Sequence, residues 1–390
     1  MLVLMLLIGA GTTAADTTLN ERLTALLGPR DAVMVAAPDG NPVVAVRPDA
    51  LLVPASILKV VTALATLHHL GPEHRFITDF HLDGDNRLAI KGYGDPLLVS
   101  ERVAAMAAEL AGRLERIDGL VLDDTYFDQP LTIPGRGGSA RAYDAPNGAL
   151  CVNFNTFFFE RRNGAWASAE PQTPLLPFMI DAIEASGLTS GRITIAGNRH
   201  EMLRYTGELF EHFLRDAGVA TAGTIAPGLL DTDLHTLLWR HRSEHPLTKI
   251  IADLLEFSNN FIANQLLLAM GAQVHGPPAT MEKGVAVLQH YYTQHLGITT
   301  GTLVEASGLS RHNRVSARTM LHVLARFQPH HHLMRQEGRQ WYKTGTLQGV
   351  STRVGYLESE AGGLYRFAVL CNTPGRTTDR IMQLLERNLR

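Results

Sequence analysis

The two ends of the chain carry strand-and-helix patterns, and the stretch between them has a different texture. Near the start, residues 32–37 and 42–46 are short apolar runs on either side of Pro38-Asp39-Gly40-Asn41, a turn signal, and together they predict a β-hairpin. Residues 56–70 place Leu58, Val61, Leu64 and Ala65 at spacings near 3.6, a helix that Gly71-Pro72 stops. The far end reads as strand, strand, helix. In the middle, residues 75–82 and 87–90 are strand-like around Asp83-Gly84-Asp85-Asn86. They are followed by an Ala-rich helix over 103–114, a strand at 120–122 and a Pro-, Gly- and Asn-rich loop over 129–148. Helical patterns return at 176–186, 207–217, 247–270, 281–296 and 316–327. The layout predicts a mixed α/β (α+β) protein in which residues 16–80 and 236–390 form one discontinuous domain and residues 81–235 are inserted. A length of 390 residues suits two or three folding units, and 45% hydrophobic side chains suffice for sizeable cores.

Composition excludes several function classes. Lys and Arg total 35 against 38 Asp and Glu, a formal charge of −3 with no block of one sign, which argues against a broad basic face for nucleic acid. Cys151 and Cys371 are too few for a disulfide framework, and Cys371 follows the apolar run Phe367-Ala368-Val369-Leu370, so a buried free thiol is expected. No stretch reaches the roughly 18–20 apolar residues of a spanning helix. The 17 histidines, including His330-His331-His332, show no recognised metal-ligand spacing, so no metal site is expected. The aromatic run 154–159 reads as strand core.

Residues 1–15, MLVLMLLIGAGTTAA, have an apolar core at 2–8 and small residues at Thr13-Ala14-Ala15, which predicts a signal peptide and an exported, extracytoplasmic protein. The rival is a dinucleotide fingerprint at Gly9-Ala10-Gly11-Thr12-Thr13-Ala14, but a hairpin and a helix follow where that motif needs a βαβ unit. No Lys or Arg precedes Arg22, so the positive charge that usually opens a leader is missing.

Three short motifs carry chemistry. Ser56-Ile57-Leu58-Lys59 is an S-x-x-K at a helix start, where i and i+3 side chains share a face. A serine hydroxyl needs a neighbouring base to become a nucleophile. A lysine serves as that base only when burial or other cations lower its pKa. The first turn of a helix also supplies backbone N–H groups for an oxyanion. Ser258-Asn259-Asn260 is an S-x-N offering a hydroxyl for proton relay and a carboxamide for a peptide carbonyl, although Ser and Asn also crowd at helix caps for structural reasons alone. Lys343-Thr344-Gly345-Thr346 is a K-T-G on an expected edge strand. It supplies a cation and a hydroxyl for an anionic group, with no side chain at Gly345 to block a substrate backbone. Each motif alone is weak. Their order, each in a suitable local setting, is the signature set of penicillin-recognising serine enzymes.

With that set, the chain resembles the D-alanyl-D-alanine carboxypeptidase/endopeptidase group of low-molecular-mass penicillin-binding proteins, peptidase family S13. The segment Glu305-Ala306-Ser307-Gly308-Leu309-Ser310-Arg311-His312-Asn313 looks like the family's D-G-S-G-L-S-R-x-N, and Gly94-Asp95-Pro96-Leu97 like its G-D-P-T-L. Asp123-Asp124-Thr125-Tyr126-Phe127 and Tyr143-Asp144-Ala145-Pro146 fall where the family has similar strings. The resemblance implies a penicillin-binding-protein/β-lactamase-like fold, an antiparallel sheet flanked by helices, with a large insertion. It implies Ser56 as acylated nucleophile, Lys59 as general base and Ser258 as proton relay. Asn260 would position the peptide, Lys343 and Thr344 would bind the terminal carboxylate, and the N–H groups of Ser56 and Thr346 would form the oxyanion hole. Substrates would be peptidoglycan stem peptides and covalent inhibitors β-lactams, with no cofactor, no nucleic acid and no membrane span after leader removal. The chain departs from the family in having Glu305 for Asp and in lacking the usual G-x-x-G-T-L segment in the short link from Met334 to Trp341.

Two rivals stay open. A β-lactamase shares the three motifs, but no glutamate motif for activating a deacylating water is evident. An inactive peptidoglycan-binding relative would keep the fold without intact Ser56, Lys59 and Lys343.

Overall fold

The computed structural model describes residues 14–194, 197–231 and 233–389. The expected leader and its rival fingerprint therefore lie outside the described residues except at Ala14 and Ala15, which open the first helix. Two compact units emerge. The first combines the chain up to Ile57 with Thr300–Thr302 and Asn313–Arg390; the second combines Leu58–Thr299 with Leu303–His312.

The first unit begins with α1 (Ala14–Leu26), β1 (Asp31–Ala36) and β2 (Pro42–Val46), the predicted hairpin. The second unit opens on α2 (Lys59–Leu70), every residue of which is buried from Lys59 to Leu67, as a helix apolar nearly all round must be. It continues through β3 (Ile77–Asp83), β4 (Leu88–Gly92), α3 (Ser100–Ala111), β5 (Arg116–Ile117) and β6 (Leu120–Asp123). Next come β7 (Thr156–Arg162), β8 (Ala165–Ser168), α4 (Met179–Ser186), β9 (Gly191–Thr194) and α5 (Arg199–Asp216). Strands β10 (Ala220–Thr221), β11 (Ile225–Pro227) and β12 (His235–Arg242) lead to α6 (Leu247–Phe257), α7 (Asn260–His275) and α8 (Met281–His290), after which residues 291–295 form a π-helical turn. The chain then returns to the first unit with α9 (Ala317–Phe327), β13 (Arg335–Glu337), β14 (Gln340–Leu347), β15 (Val350–Glu358), β16 (Leu364–Cys371) and α10 (Asp379–Asn388).

In the first unit the chain ends share one antiparallel sheet in the order β13-β14-β15-β16-β1-β2, with Val33 opposite Val369. All six residues of β1 are buried, because the sheet is covered on both faces. One face packs Val33, Val35, Phe367 and Val369 against Leu19 and Leu23 of α1 and Ile381 and Leu385 of α10. Towards α9, the Tyr356 hydroxyl donates to the Leu324 carbonyl at 2.6 Å. Cys371 belongs to the first core; it and Cys151 are both buried free thiols.

In the second unit α2 packs on α6 and α7, and a five-stranded sheet, β11-β6-β4-β3-β12, packs with α3 and α5 around Phe80, Ile90, Leu122, Phe157, Tyr205 and Phe210. The division between units falls at residue 57 rather than near 80, because α2 finds its packing partners among the helices of residues 247–290. The aromatic run 154–159 divides: Phe157 and Phe159 are core, Phe158 is exposed, and Phe154 precedes the strand altogether. Among the described residues no helix is long and apolar enough to cross a membrane.

Candidate active site

The nucleophile candidate is set by its backbone. Residues 52–54 are tied to the end of β16 by Asn372, whose carboxamide accepts from the Val53 N–H at 2.8 Å and donates to the Val53 carbonyl at 3.1 Å, as a strand partner would. The Pro54 carbonyl accepts from the Thr352 hydroxyl at 2.7 Å. Ala55, fully buried, is then forced to φ +50°, a left-handed conformation that costs a non-glycine residue about 1–2 kcal/mol. This sharp turn delivers half-buried Ser56 at the start of a 3-10 turn, Ala55–Leu58, that runs directly into α2.

Lys343 and Gly345 lie on one face of β14, and Thr344 and Thr346 on the other, exposed, face. β14 is not the edge strand expected from sequence, since β13 lies outside it. That cover spans only Gln340 to Tyr342, so Lys343 to Leu347 pair with β15 alone and keep a local edge. Gly345 is required by close approach: a Cβ there would sit 2.7 Å from the Ser56 nitrogen and 2.4 Å from Thr352 Oγ1. The Ser56 N–H therefore abuts β14 where an oxyanion hole shared with Thr346 would form. Lys343 is 2% exposed, and its Nζ donates to the Thr344 carbonyl at 2.9 Å.

In the second unit, Lys59 is fully buried. Its Nζ donates to Asn260 Oδ1 at 2.8 Å and to the Ser307 carbonyl at 2.6 Å. Asn260 opens α7 because the helix expected over 247–270 breaks. Ser258 adopts φ +56° and closes α6, and Asn259 caps α7 by accepting from the Ile262 N–H at 3.2 Å. The capping residue and the residue expected to position the peptide are thus neighbours in the same tripeptide.

The Ser307 carbonyl was not legible in the sequence. Its loop is organised by buried Glu305, whose carboxylate accepts from the N–H and hydroxyl of Ser307 at 2.6 and 2.5 Å and from the Gly308 N–H at 2.7 Å. Thr62 donates to the Ala306 carbonyl at 2.7 Å, and Asn264 accepts from the Ala306 N–H at 3.2 Å. Thr62 and Asn264 follow Lys59 and Asn260 by three and four residues, the helical spacing that could have signalled them. The longer carboxylate at position 305 fills a structural role.

The other family-like strings are structural hubs. Asp95 accepts from the Leu97 N–H at 2.9 Å, and complete burial pushes its carboxyl up to about 6. Asp123 salt-bridges Lys91 at 3.0 Å, and Asp124 pairs with Arg199 at 2.6 Å. Asp144 accepts from the Gly137 and Ser139 N–H groups at 2.9 and 3.1 Å.

A cavity of about 490 Å³ opens beside Ser258 and Asn260, walled by Leu97, Tyr143, Phe154 and Phe257 with Arg192 and Asp253 as charged members. Phe154 reaches it from three consecutive left-handed residues, Asn153 to Asn155. Asn153 locks that turn by accepting from the Ser100 N–H and donating to the Tyr205 hydroxyl, both at 2.8 Å. Among the described residues no cluster of His, Cys, Asp or Glu is arranged to hold a metal; His330 to His332 lie in a 3-10 turn.

The model of the D-Ala-D-Ala carboxypeptidase 3 (S13) family matches residues 15–335. The chain belongs to that family. It is an enzyme of the serine-peptidase class. Lys343 to Thr346 lie beyond the matched stretch and are placed by β14. The D-alanyl-D-alanine carboxypeptidase of an Actinomadura species is 28% identical, the alignment covering 82% of this chain and 71% of that one. The D-alanyl-D-alanine carboxypeptidase DacB of Haemophilus influenzae is 25% identical over 82% and 80%. The crystal structure of penicillin binding protein 4 from Haemophilus influenzae superposes with a TM-score of 0.76 at 19% identity, covering 94% of this chain and 97% of that one. A predatory peptidoglycan endopeptidase from Bdellovibrio bacteriovorus gives 0.54 at 17%, covering 90% and 87%. The expected fold is thereby borne out.

Proposed function

We propose that Ser56 is acylated by the penultimate D-alanine of peptidoglycan stem peptides, releasing the terminal D-alanine. The observation that carries this reading is Lys59, wholly buried, held on two neutral acceptors and three residues after Ser56 on continuous helical backbone. Burial of this kind is what a lysine base requires. Lys59 takes the Ser56 proton as Oγ attacks the scissile carbonyl. The resulting oxyanion is met by the N–H groups of Ser56 and Thr346. Ser258 passes a proton to the leaving nitrogen, the C–N bond breaks, and water then hydrolyses the ester. Asn260 orients the peptide, and Lys343 with Thr344 binds the terminal carboxylate. The substrate lies outside the cytoplasmic membrane, so the reading includes export. β-Lactams, which mimic the acyl donor, would acylate the same serine.

Cleavage of D-alanyl cross-links by the same chemistry is favoured by the cavity beside Ser258, which is far larger than one alanine. Digestion of purified peptidoglycan with chromatographic resolution of the products tests both halves. Loss of pentapeptides with intact cross-links would eliminate the endopeptidase half. A fluorescent penicillin should leave a stable adduct that mass spectrometry maps to Ser56; no adduct on folded protein would sink the reading, and rapid drug turnover would favour a β-lactamase. The Gly345→Ala variant should be acylated about 10–100-fold more slowly, because the new methyl displaces the Ser56 N–H. An unchanged stopped-flow rate would remove Ser56 N–H from the oxyanion hole.

A further inference from the structure

The loop over 129–148 carries no motif of the catalytic set, yet it is built as a rigid clamp on the start of α7. Asn147, 1% exposed, donates from Nδ2 to the Phe261 carbonyl and to Gln265 Oε1, both at 2.9 Å. Gln265, fully buried, donates back to the carbonyls of Gly148 at 3.0 Å and Gly94 at 3.3 Å. From the other side, Gln129 donates to the Asn147 carbonyl at 3.0 Å. Asp144 gathers residues 137–139, its carboxylate also accepting from the Ser139 hydroxyl at 2.6 Å.

Next to Asp144, the loop meets a residue of the three motifs. The Tyr143 carbonyl accepts from Asn260 Nδ2 at 3.4 Å. A carboxamide has one donor end and one acceptor end, and a lysine ammonium can only donate. An acceptor on the Nδ2 side therefore selects the rotamer whose Oδ1 faces Lys59 Nζ. Phe261, which Asn147 holds, is the next residue along the same helical turn, so Asn147 fixes the position of Asn260 while Tyr143 fixes its orientation.

We propose that Asn147 is a positioning residue for acylation: through it, the loop holds the Asn260 carboxamide with its oxygen on Lys59. The inference rests on the reading of Lys59 as the base that activates Ser56. Loss of the Asn147 donors frees the first turn of α7 and lets the carboxamide turn. Lys59 then loses an acceptor and its fixed geometry, and small displacements at a reacting centre are expensive in rate.

The test is the second-order rate of acylation by a fluorescent penicillin, followed from pH 5 to 9 on the full chain, with folding checked by thermal denaturation. Asn147→Leu, of similar volume and without either donor, should be acylated about tenfold or more slowly. The acid limb of its pH profile should move by half a unit or more towards lower pH, because an ammonium deprived of an acceptor gives up its proton more readily. Asn147→Ser, less disruptive to fold, should move both readouts in the same direction. A folded variant with the wild-type rate and profile would overturn the inference. So would a rate that falls only in step with the folded fraction, the survivors keeping the wild-type profile. No adduct on the wild type would instead overturn the acylation reading, and this inference with it.

Discussion

Replacing Lys59 by methionine is expected to slow acylation of Ser56 by a penicillin about 10²–10⁴-fold, the range that a positioned general base supplies. Methionine keeps the length of the buried stem and fills irregular space well, so the packing of α2 survives. Two acceptors, Asn260 Oδ1 and the Ser307 carbonyl, lose this donor. The orphaned buried Ser307 carbonyl costs about 1–3 kcal/mol and the half-buried Asn260 Oδ1 less, offset in part because a buried amine no longer has to be desolvated. The variant should therefore fold with a lowered melting temperature, while its activity falls far more than its stability. Stopped-flow labelling beside a thermal melt separates the two quantities. A folded Lys59→Met protein labelled within threefold of the wild-type rate would remove Lys59 from the chemistry.

The parts of this molecule that were legible in the sequence are those in which residue type alone sets position. The hairpin and the terminal strands showed because β1 and the second half of β16 are continuous buried apolar runs and a turn sequence separates β1 from β2. The S-x-x-K, S-x-N and K-T-G motifs showed because the proposed chemistry rests on their side-chain types. Other features leave no such signature. The Ser307 oxygen on Lys59 is a backbone carbonyl, which every residue carries. The break between α6 and α7 is a left-handed Ser258, and a helical apolar period runs straight through it. The helix expected from 207 begins at Arg199, because Asn198 caps a first turn rich in polar residues and its side chain accepts from the Glu201 N–H. Phe154 reads as strand because its neighbours are strand, but three left-handed residues turn it into the cavity beside Ser258.

Acidification from about pH 6.5 towards about 4 should destabilise this protein through its buried histidines. Burial, then the nearby His68, His295 and His290, holds His69 at about 4, well below the ordinary 6.5. The same cause, burial first, depresses His68, His74, His81, His241, His245 and His330. The unfolded chain takes up protons at these sites as the pH falls through 6.5, whereas folded His69 does not until about 4. Stability is therefore intact above pH 6.5 and lost progressively towards pH 4. His69 alone contributes about 1–2 kcal/mol of that loss at pH 5 after allowance for solvent screening. The other six sites shift in the same direction and add to that loss. His69 lies near the end of the helix that Lys59 begins, its rings crowded by His68 at 4.8 Å and Tyr291 at 6.1 Å. Its Nε2 is buried with no hydrogen-bond partner among the described residues, so a leucine there gives up little. Urea denaturation at pH 7.5, 6 and 5 should show wild-type stability dropping steeply and His69→Leu dropping less, the two curves separating only below pH 6.5. Parallel curves across that range would show that His69 titrates in the folded protein as it does in the unfolded chain.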